Sequence, residues 1–245
     1  MTKVIAFTCL HYGKSYFAAA IQSVIDTVDE YYVIYTDEGS HGHKSGMVCP
    51  DKRSELMGIA HDVAGRKLRW FDGKFATEGM HRDTIYHIAK DADIILTVDS
   101  DELFPDGIAA EAIALAKTSG VRDHRLPFVH FWRSFRRAVI HDPAYPVRIV
   151  NTQFQSGVVT LPVKPVAHMG YAIPVELCRY KLSTHGHHDQ FRKDVNWLDE
   201  VYIANRQTDM HVVGSEYWNA ETVEPLDYLP SFMVDHPYFN LEVIP

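Results

Sequence analysis

Three acidic residues follow an apolar run whose composition is typical of a buried strand. Residues 94–98 read Ile-Ile-Leu-Thr-Val, and Asp99, Asp101 and Glu102 come directly after them. Such a run is typical of a strand that is buried on both faces of a sheet. In open α/β sheets, ligands bind outside the carboxyl ends of such strands. Two carboxylates spaced i, i+2 at that position could hold a hard divalent cation, which in turn could hold a diphosphate.

A second Asp-x-Asp pair shows that position carries more information than residue type. Asp91 and Asp93 precede the same apolar run, and we expect them to form a solvated turn. Asp99 and Asp101 follow it, at the end where ligands bind. Because adjacent carboxylates repel each other unless a cation or hydrogen-bond donors compensate, we expect the second pair to bind a metal.

The first hundred residues alternate between strand and helix patterns. Strands are predicted over residues 4–10, 31–35, 67–71 and 93–98, and helices after a Ser15 cap and over 53–63 and 78–90. This alternation predicts βαβ units and a parallel sheet. Beyond residue 105 we expect a helix over 106–117, short antiparallel strands over 128–132, 138–141 and 147–150, and a helix near 194–204. One continuous domain with two functional halves, 1–105 and 106–245, is the simplest account.

The composition of the chain argues against several classes of protein. The net charge is −8 over 245 residues, which argues against a surface built mainly to grip nucleic acid. The three cysteines have no CxxC spacing, so neither a disulfide framework nor a zinc knuckle is indicated, and a reducing cytosol fits best. No apolar run approaches the roughly 18 residues of a membrane span. We therefore expect a cytoplasmic protein without stable membrane insertion.

Two classes of enzyme that act on phosphates also place acids at a strand end, but their sequence patterns do not match this chain. A phosphatase of the haloacid dehalogenase type needs Asp-x-Asp-x-Thr/Val on the first strand, whereas Leu103 takes the fifth position here and the strand is the fourth. A nucleotidyltransferase would want a Gly-rich loop after the first strand. Residues 9–13, Cys-Leu-His-Tyr-Gly, contain only one glycine.

Four features together resemble a glycosyltransferase of the GT-A fold, close to family 2. They are the strand-helix opening over 4–24, the turn Tyr-Thr-Asp-Glu-Gly-Ser over 35–40, Gly-Met-His-Arg-Asp over 79–83, and Val-Asp-Ser-Asp-Glu over 98–102. Two positions depart from the family pattern, since Glu38 replaces an Asp and Asp83 an Asn. No Gln-x-x-Arg-Trp signature of processive synthases occurs. The second half is similar more loosely, through PVRIV, HMGYA and KLSTHGHH.

The resemblance implies both a fold and a reaction. The fold would be a single Rossmann-like α/β domain, with a mostly parallel mixed sheet flanked by helices and a more irregular acceptor half. The reaction would move a sugar from a nucleoside diphosphate sugar, such as a UDP-sugar, to an acceptor hydroxyl with inversion, using Mn²⁺ or Mg²⁺. Two alternatives stay open, a non-catalytic nucleotide-sugar or carbohydrate-binding module and a metal-dependent phosphohydrolase. The acceptor could be a glycan, a small molecule or a hydroxylated DNA base, and the oligomeric state is not predicted.

The resemblance also implies donor-binding residues. Asp37 would contact the base or ribose, although a turn acid at a strand end can simply form the turn. Arg82 would pair with base or phosphate, the alternative being a surface salt bridge. Asp99 would hold the ribose or the metal. Lys181, with Arg179, could face the diphosphate or lie on an exposed strand face.

Metal ligands and the catalytic base complete the predicted site. Asp101 would ligate the metal, and His168 or His185 would complete its shell. The His-Gly-His-His-Asp cluster over 185–189 could alternatively bind zinc, although no cysteine accompanies it. Inversion calls for one carboxylate that takes the acceptor proton. The candidates for this base are Glu176, Asp142 and Asp189.

Overall fold

The main sheet is built largely from the first half of the chain. The computed structural model describes residues 2–39, 46–143, 145–184, 190–204, 211–213 and 219–241. The first-half elements are β1 (Val4–Leu10), α1 (Lys14–Gln22), β2 (Glu30–Tyr35), α2 (Arg53–Ala64), β3 (Leu68–Asp72), α3 (Glu78–Ile88) and β4 (Ile94–Thr97). Each predicted strand and helix of this half is present to within a few residues. The helices alternate with the strands because β1, β2 and β4 are apolar, the edge strand β3 is partly exposed, and each helix has one apolar face.

The second half contributes shorter elements to both sheets. They are β5 (Glu102–Leu103), α4 (Ile108–Thr118), β6 (Asp123–Arg125), β7 (Phe128–Trp132), β8 (Arg137–Val139), β9 (Val147–Asn151), β10 (Val158–Thr160), β11 (Val166–Tyr171), α5 (Val175–Thr184) and β12 (Glu221–Thr222). The segment Trp197–Ile203, where a helix was predicted, is a π-helix. Short 3₁₀ turns at Pro225–Asp227 and Ser231–Asp235 lie in the C-terminal segment.

The strand order of the main sheet is β10-β6-β9-β4-β1-β2-β3. The four strands of the first half pair in parallel, and β9 pairs antiparallel to both β4 and β6. The predicted α/β class, a mostly parallel mixed sheet flanked by helices, is confirmed. The chain adds β2 and β3 on one side of β1 and then returns to place β4 on the other side. Open α/β sheets bind ligands at such a reversal, outside the carboxyl ends of the strands.

A second sheet has the strand order β12-β8-β7-β11-β5, and all of its strands begin at Glu102 or later in the sequence. Its edge strand β5 starts at Glu102, and in its pairing with β11 Glu102 stands opposite His168. On the other side of β11, His168 stands opposite His130 of β7. The register of this sheet therefore fixes which second-half side chains meet the acidic strand end. The predicted antiparallel pairing of residues 128–132 holds for β8, but β7 is parallel to β11.

Two local predictions were wrong. The helix predicted to start at a Ser15 cap begins at Lys14, and the Asp51 carboxylate accepts hydrogen bonds from the backbone amides of Gly13 and Lys14 at 2.7 and 2.9 Å. That cap was missed because its acceptor lies 38 positions from Gly13 in sequence. The segment that contains Arg179 and Lys181 is the helix α5 and not an exposed strand.

The core runs continuously from the first strand into the second half. Ala6, Phe17 and Leu96 are fully buried, as is Trp132, and all four belong to one hydrophobic cluster. This cluster therefore joins β1, α1 and β4 of the first half to β7 of the second half. Within the described ranges, no helix combines the length and apolarity needed to cross a membrane.

Candidate functional site

A cleft of about 330 Å³ opens at the carboxyl ends of β1 and β4. Its floor is the end of β1 and the acidic turn after β4, and its walls come from α1, α3, β11 and α5. The lining residues are Cys9, His11, Tyr12, Gly13, Ser15, Tyr16, Gly39, Glu78, His81, Arg82, Asp99, Ser100, Asp101, His168, Ile173, Leu177, Lys181 and Thr184. Both halves of the chain therefore contribute to one site.

Two arginines hold the first acid, Asp99. Arg82 donates to its two oxygens at 3.1 and 3.0 Å, and Arg148 of β9 donates to Oδ2 at 3.2 Å. Burial acts to raise the pKa of Asp99, but the charges of Arg82 and Arg148 outweigh it and hold that pKa below its usual range. Asp99 is therefore a carboxylate whose two oxygens already accept hydrogen bonds from cations.

The third acid, Glu102, faces the interior. It is 1% exposed, and its side chain accepts from Arg148 Nε at 2.8 Å and from Arg148 Nη2. Burial raises the pKa of Glu102 above its usual range despite the opposing charge of Arg148, and the neighbouring Asp99 adds to the rise. Arg148 thus bridges Glu102 and Asp99 and fixes the turn between them.

The middle acid, Asp101, faces the cleft. Lys181 Nζ lies 3.1 Å and His168 Nε2 lies 3.6 Å from its Oδ2. Burial acts to raise the pKa of Asp101, but Lys181 and then His168 outweigh it, so that this pKa lies below its usual range. The Asp101 backbone carbonyl accepts from the Met169 amide at 2.8 Å, which ties the acidic turn to β11.

Gly170 keeps space open beside these groups. A Cβ at this position would lie 2.6 Å from His168 Nε2 and would also collide with Lys181 Nζ. The Gly170 carbonyl accepts from Lys181 Nζ at 3.2 Å. The two groups that approach the Gly170 backbone closely are therefore His168 and Lys181.

His168 is the nearest member of a line of three polar side chains behind Asp101. Its Nδ1 lies 2.9 Å from His130 Nδ1, and His130 Nε2 lies 3.1 Å from Asp142 Oδ2. Burial lowers the pKa of His168 to about 3, outweighing the nearby Asp101. His168 is therefore a neutral imidazole near pH 7, which is the form that binds metals.

Asp101 and His168 are the pair best placed to hold a cation. Carboxylate oxygens and neutral imidazole nitrogens are both of the types that ligate metals, and here the two lie 3.6 Å apart, with no side chain on Gly170 beside them. Over the residues that the structure describes, no group of three His, Cys, Asp or Glu side chains could hold a metal ion. Two protein ligands fit a cation whose remaining ligands are substrate phosphates and water, as is common for Mg²⁺.

Comparisons with known proteins add distant structural likenesses. Neither a scan against protein-family models nor a sequence search of curated proteins gave a match. The chain is similar to S. aureus TarS 1-349, with a TM-score of 0.39 and 13% identity over 53% of this chain and 36% of that chain. The same protein in complex with UDP-GlcNAc gives a TM-score of 0.37 and 13% identity over 54% and 35%.

A further solved structure is similar over a larger share of both chains. The 4-diphosphocytidyl-2C-methyl-D-erythritolsynthase from Anaerococcus prevotii DSM 20548 gives a TM-score of 0.42 and 9% identity over 70% of this chain and 91% of that chain. By contrast, the chain spans about a third of the TarS 1-349 structures, at 36% and 35% of their length.

Several predicted residues converge in the cleft and others do not. Arg82, Asp99, Asp101, His168 and Lys181 all line it. Asp37 is exposed and lines a neighbouring groove of about 390 Å³ with Tyr35, Arg53, Asp72, Gly73 and Lys74. Its predicted contact with the donor stays a prediction.

Two of the three base candidates, Glu176 and Asp142, lie outside the cleft lining. Glu176 is exposed in the first turn of α5, and Asp142 stands behind His130, so neither belongs to the cleft lining. Asp189 and the candidate ligand His185 fall outside the described residues. Thr184, which lines the cleft, immediately precedes His185 in sequence. The base and the second histidine remain predictions.

The comparison pair Asp91 and Asp93 behaves as predicted. The exposed Asp91 accepts from Lys3 Nζ at 2.8 Å, and Asp93 accepts from the Lys3 backbone amide at 2.7 Å. Both lie at the amino end of β4, at the opposite end of the strand from the cleft. This pair forms a surface turn.

Sequence reasoning missed Arg148 and His130. Both are single polar residues inside apolar strands, in Val-Arg-Ile and Val-His-Phe. A cation or imidazole within a buried strand needs a partner, because burying an unpaired charge or polar group is costly. That signal could have indicated buried partners, but only the sheet register identifies them as Glu102, Asp99 and His168.

Proposed function

We propose that this protein is a metal-dependent glycosyltransferase that moves a sugar from a nucleoside diphosphate sugar, such as a UDP-sugar, to an acceptor hydroxyl with inversion. The observation that carries this proposal is the convergence of Asp101, His168 and Lys181 at the carboxyl end of β4. A carboxylate, a neutral imidazole and an ammonium group at one ligand-binding edge suit a cation-bound diphosphate. The four-part sequence pattern of the same chain supports sugar transfer over other phosphate chemistry.

The cationic side chains of the cleft would bind the diphosphate. Lys181 Nζ is a compact charge with three donors, of which Asp101 and the Gly170 carbonyl use two. Arg82 lines the cleft while its guanidinium is fixed by Asp99 and by Glu78 at 2.9 Å. These fixed positive groups would orient a dianionic leaving group without reorganising.

The proposed metal site uses this chain's Asp101 and His168. A bound Mn²⁺ or Mg²⁺ would act there as a Lewis acid that stabilises the negative charge of the departing diphosphate. Asp99 would serve as the anchor that holds Arg82 and Arg148 in place, since both of its oxygens accept from arginines. Asp101 is thus the acid proposed as the metal ligand, with Asp99 supporting it.

The direct test combines donor screening with one matched pair of variants. The purified protein, supplied with Mn²⁺, is screened against UDP- and GDP-sugars by thermal shift and by release of the nucleoside diphosphate. A bound donor raises the melting temperature by mass action. We expect a UDP-sugar to bind and to be turned over, and Asp101→Asn to lose both.

The control is Asp91→Asn, which changes the surface Asp-x-Asp pair at the other end of the same strand. It should keep wild-type donor binding and turnover. Absence of binding and turnover with every donor, or an Asp101→Asn variant that equals the wild type, would refute the proposed function.

A non-catalytic nucleotide-sugar-binding module is the second candidate. It is favoured by the position of Glu176 and Asp142, which both lie off the cleft lining. This alternative predicts that donors raise the melting temperature with Mn²⁺ while no sugar is transferred or hydrolysed. The same screen therefore separates the two functions.

A further inference from the structure

Each residue of the Asp-Ser-Asp turn over 99–101 is held by a different part of the chain. Two arginines hold the Asp99 carboxylate. The backbone amide of Met169 in β11 donates to the Asp101 carbonyl at 2.8 Å. Ser100, between the two acids, contacts the loop that joins β1 to α1, where its Oγ donates to the Tyr12 carbonyl at 3.3 Å. The position of the turn therefore depends on this third contact as well as on the other two.

Gly13 allows Ser100 to come this close to the loop. Its φ is +134°, a conformation that glycine adopts readily and other residues rarely do. A Cβ at Gly13 would lie 2.8 Å from Ser100 Cβ and would also overlap Ser100 Oγ. Rotation of the serine side chain moves Oγ but leaves Cβ in place, so only a movement of the backbone would relieve this overlap. The single glycine that follows the first strand therefore accommodates the acidic turn.

The backbone of Gly13 is fixed from both sides. Its amide donates to Asp51 Oδ2 at 2.7 Å, and its carbonyl accepts from the Phe17 amide at 3.1 Å. Phe17 is fully buried, which anchors this first turn of α1 in the core. A side chain at position 13 would therefore push the acidic turn away from α1, and Ser100 would carry the adjoining Asp101 with it.

We infer that Gly13 and Ser100 are positioning residues, whose close contact sets where the turn places the Asp101 carboxylate in the cleft. This role rests on the proposed function, because Asp101 is the proposed metal ligand. Ordinary van der Waals contact begins near 3.4 Å, so an overlap at 2.8 Å demands a shift of about 0.6 Å. Groups that bind a metal must be held within about 0.5 Å of the productive geometry. A shift of this size is therefore enough to disturb the site.

The first experiment introduces Gly13→Ala into three backgrounds that differ only at position 100. Residues in contact show coupled effects in such cycles, whereas distant residues do not. In the wild type and in Ser100→Ala a Cβ is present at position 100, and Gly13→Ala should weaken Mn²⁺ binding on the order of tenfold or more. In Ser100→Gly no Cβ remains, so Gly13→Ala should change Mn²⁺ binding little. Electron paramagnetic resonance titration with Mn²⁺ measures the three ratios.

These backgrounds separate the contact from backbone strain. Ala at position 13 is strained by its positive φ in every background, so this cost cancels when the ratios are compared. Gly120→Ala is the matched control, because Gly120 has a φ of +75° and a Cβ there would meet nothing within 4 Å. It should lower the free energy of unfolding but leave Mn²⁺ affinity unchanged. Equal Mn²⁺ penalties of Gly13→Ala in the Ser100→Ala and Ser100→Gly backgrounds would overturn the inference.

The second experiment follows the turn without metal or donor. Hydrogen exchange of the Met169 amide reports its hydrogen bond to the Asp101 carbonyl. We expect faster exchange in Gly13→Ala and in Gly13→Ala/Ser100→Ala, and exchange like that of the wild type in Gly13→Ala/Ser100→Gly. The Thr152 amide, which donates to a backbone carbonyl just before β4, corrects for changes in global stability. Unchanged Met169 exchange in Gly13→Ala overturns the positioning role.

The double variants also decide the matter if Gly13→Ala alone does not fold. Gly13→Ala/Ser100→Gly should then recover a cooperative unfolding transition in urea, because the overlap is gone, and Gly13→Ala/Ser100→Ala should not. Recovery by both double variants, or by neither, contradicts a contact between Gly13 and the Ser100 Cβ.

The two proposals fail in different ways. If the wild type binds no Mn²⁺ and turns over no donor, the proposed function fails, while Met169 exchange in the metal-free protein still decides whether Gly13 sets the position of the turn. If the donor is turned over but Gly13→Ala equals the wild type in Mn²⁺ affinity and in Met169 exchange, only the positioning role fails.

Discussion

Lys181 Nζ lies 3.1 Å from Asp101 Oδ2, although the two residues are 80 positions apart in the chain. The ammonium group also donates to the Gly170 carbonyl and lies 5.2 Å from the centre of the Tyr171 ring. The same carboxylate is the proposed metal ligand. Lys181 and a cation should therefore compete for Asp101 in the free protein and act together once a diphosphate is bound.

Replacing Lys181 by Met should separate these two effects. Without the ammonium group, Mn²⁺ should bind Asp101 several-fold more tightly in the absence of nucleotide, because a competing positive charge is gone. UDP binding in the presence of Mn²⁺ should weaken by about 10–100-fold, since hydrogen bonds to charged groups contribute about 1.5–3 kcal/mol. Titration calorimetry with Mn²⁺ alone and then with UDP measures both.

Lys164→Met provides the control for lost charge, since Lys164 is exposed and is not part of the cleft lining. It should leave both affinities unchanged. Equal UDP affinity in Lys181→Met and the wild type would show that Lys181 does not face the diphosphate.

Gly170→Ala tests whether the space beside His168 matters. The new Cβ would lie 2.6 Å from His168 Nε2, so the imidazole must shift from its position beside Asp101. We expect Mn²⁺ affinity to fall on the order of tenfold or more, as for other disturbances of ligand orientation. Electron paramagnetic resonance titration with Mn²⁺ measures the change.

Gly58→Ala is the matched control, because a Cβ at Gly58 in α2 would meet nothing within 4 Å. This change should leave Mn²⁺ binding intact and stabilise the helix by about 0.5–1 kcal/mol. If Gly170→Ala binds Mn²⁺ as well as Gly58→Ala does, His168 is not a ligand.

Arg148→Met should destabilise the fold because it leaves Glu102 buried without its cation. The side chains of Arg148 and Glu102 are 13% and 2% exposed. Removing one partner of a buried ion pair costs about 3–5 kcal/mol of unfolding free energy. Urea denaturation near pH 7 measures this loss.

The double variant Arg148→Met/Glu102→Gln should recover part of the lost stability, since a buried Gln, unlike Glu102, does not have to take up a proton when the chain folds near pH 7. Arg53→Met breaks the exposed Arg53–Asp72 pair and should change the stability little. A double variant that is less stable than Arg148→Met would contradict the pairing argument.

His81 should make the fold sensitive to acid. Its ring is 3% exposed, stacks on Phe75 with centroids 4.2 Å apart, and lies with Nε2 2.7 Å from the Ile34 carbonyl oxygen. Burial lowers the pKa of His81 from 6.5 to about 4. The folded state therefore resists protonation, while the unfolded chain takes up the proton below about pH 6.5.

The stability that His81 contributes is present above about pH 6.5 and is lost as the pH falls toward about 4. The full loss from this one group is about 3 kcal/mol, at about 1.4 kcal/mol per pKa unit. His81→Gln should be less stable at pH 7 but should lose less on acidification. Urea denaturation at several pH values compares the two slopes, and identical slopes would rule out His81 as the source.

Local patterns determined the first half of the molecule. β1 matches its predicted range, and the other strands and helices up to β4 match to within a few residues, because alternating apolar strands and helices leave a strong periodic signal. The same logic placed Asp99 and Asp101 at the ligand-binding edge, since the carboxyl end of a buried parallel strand is defined by the chain direction. The sequence also separated this pair from Asp91 and Asp93 by position alone.

The helix α5 shows where local patterns fail. Its sequence, VELCRYKLST, mixes β-branched and aromatic residues with charges over ten positions. Such a short segment carries little difference between helix and strand periodicity. Packing of Cys178 and Tyr180 into the core decides the outcome, and only the helix brings Lys181 toward Asp101.

Only the tertiary structure decided which second-half residues meet the acids. Arg148 reaches Asp99 and Glu102 because β9 pairs antiparallel with β4, and His168 reaches Asp101 because β11 pairs with β5. These registers depend on contacts between residues tens of positions apart, for which a single sequence contains no local signal. The sequence by itself determined that an acidic strand end lies at the ligand-binding edge. The fold determined which cationic side chains and imidazoles contact those acids.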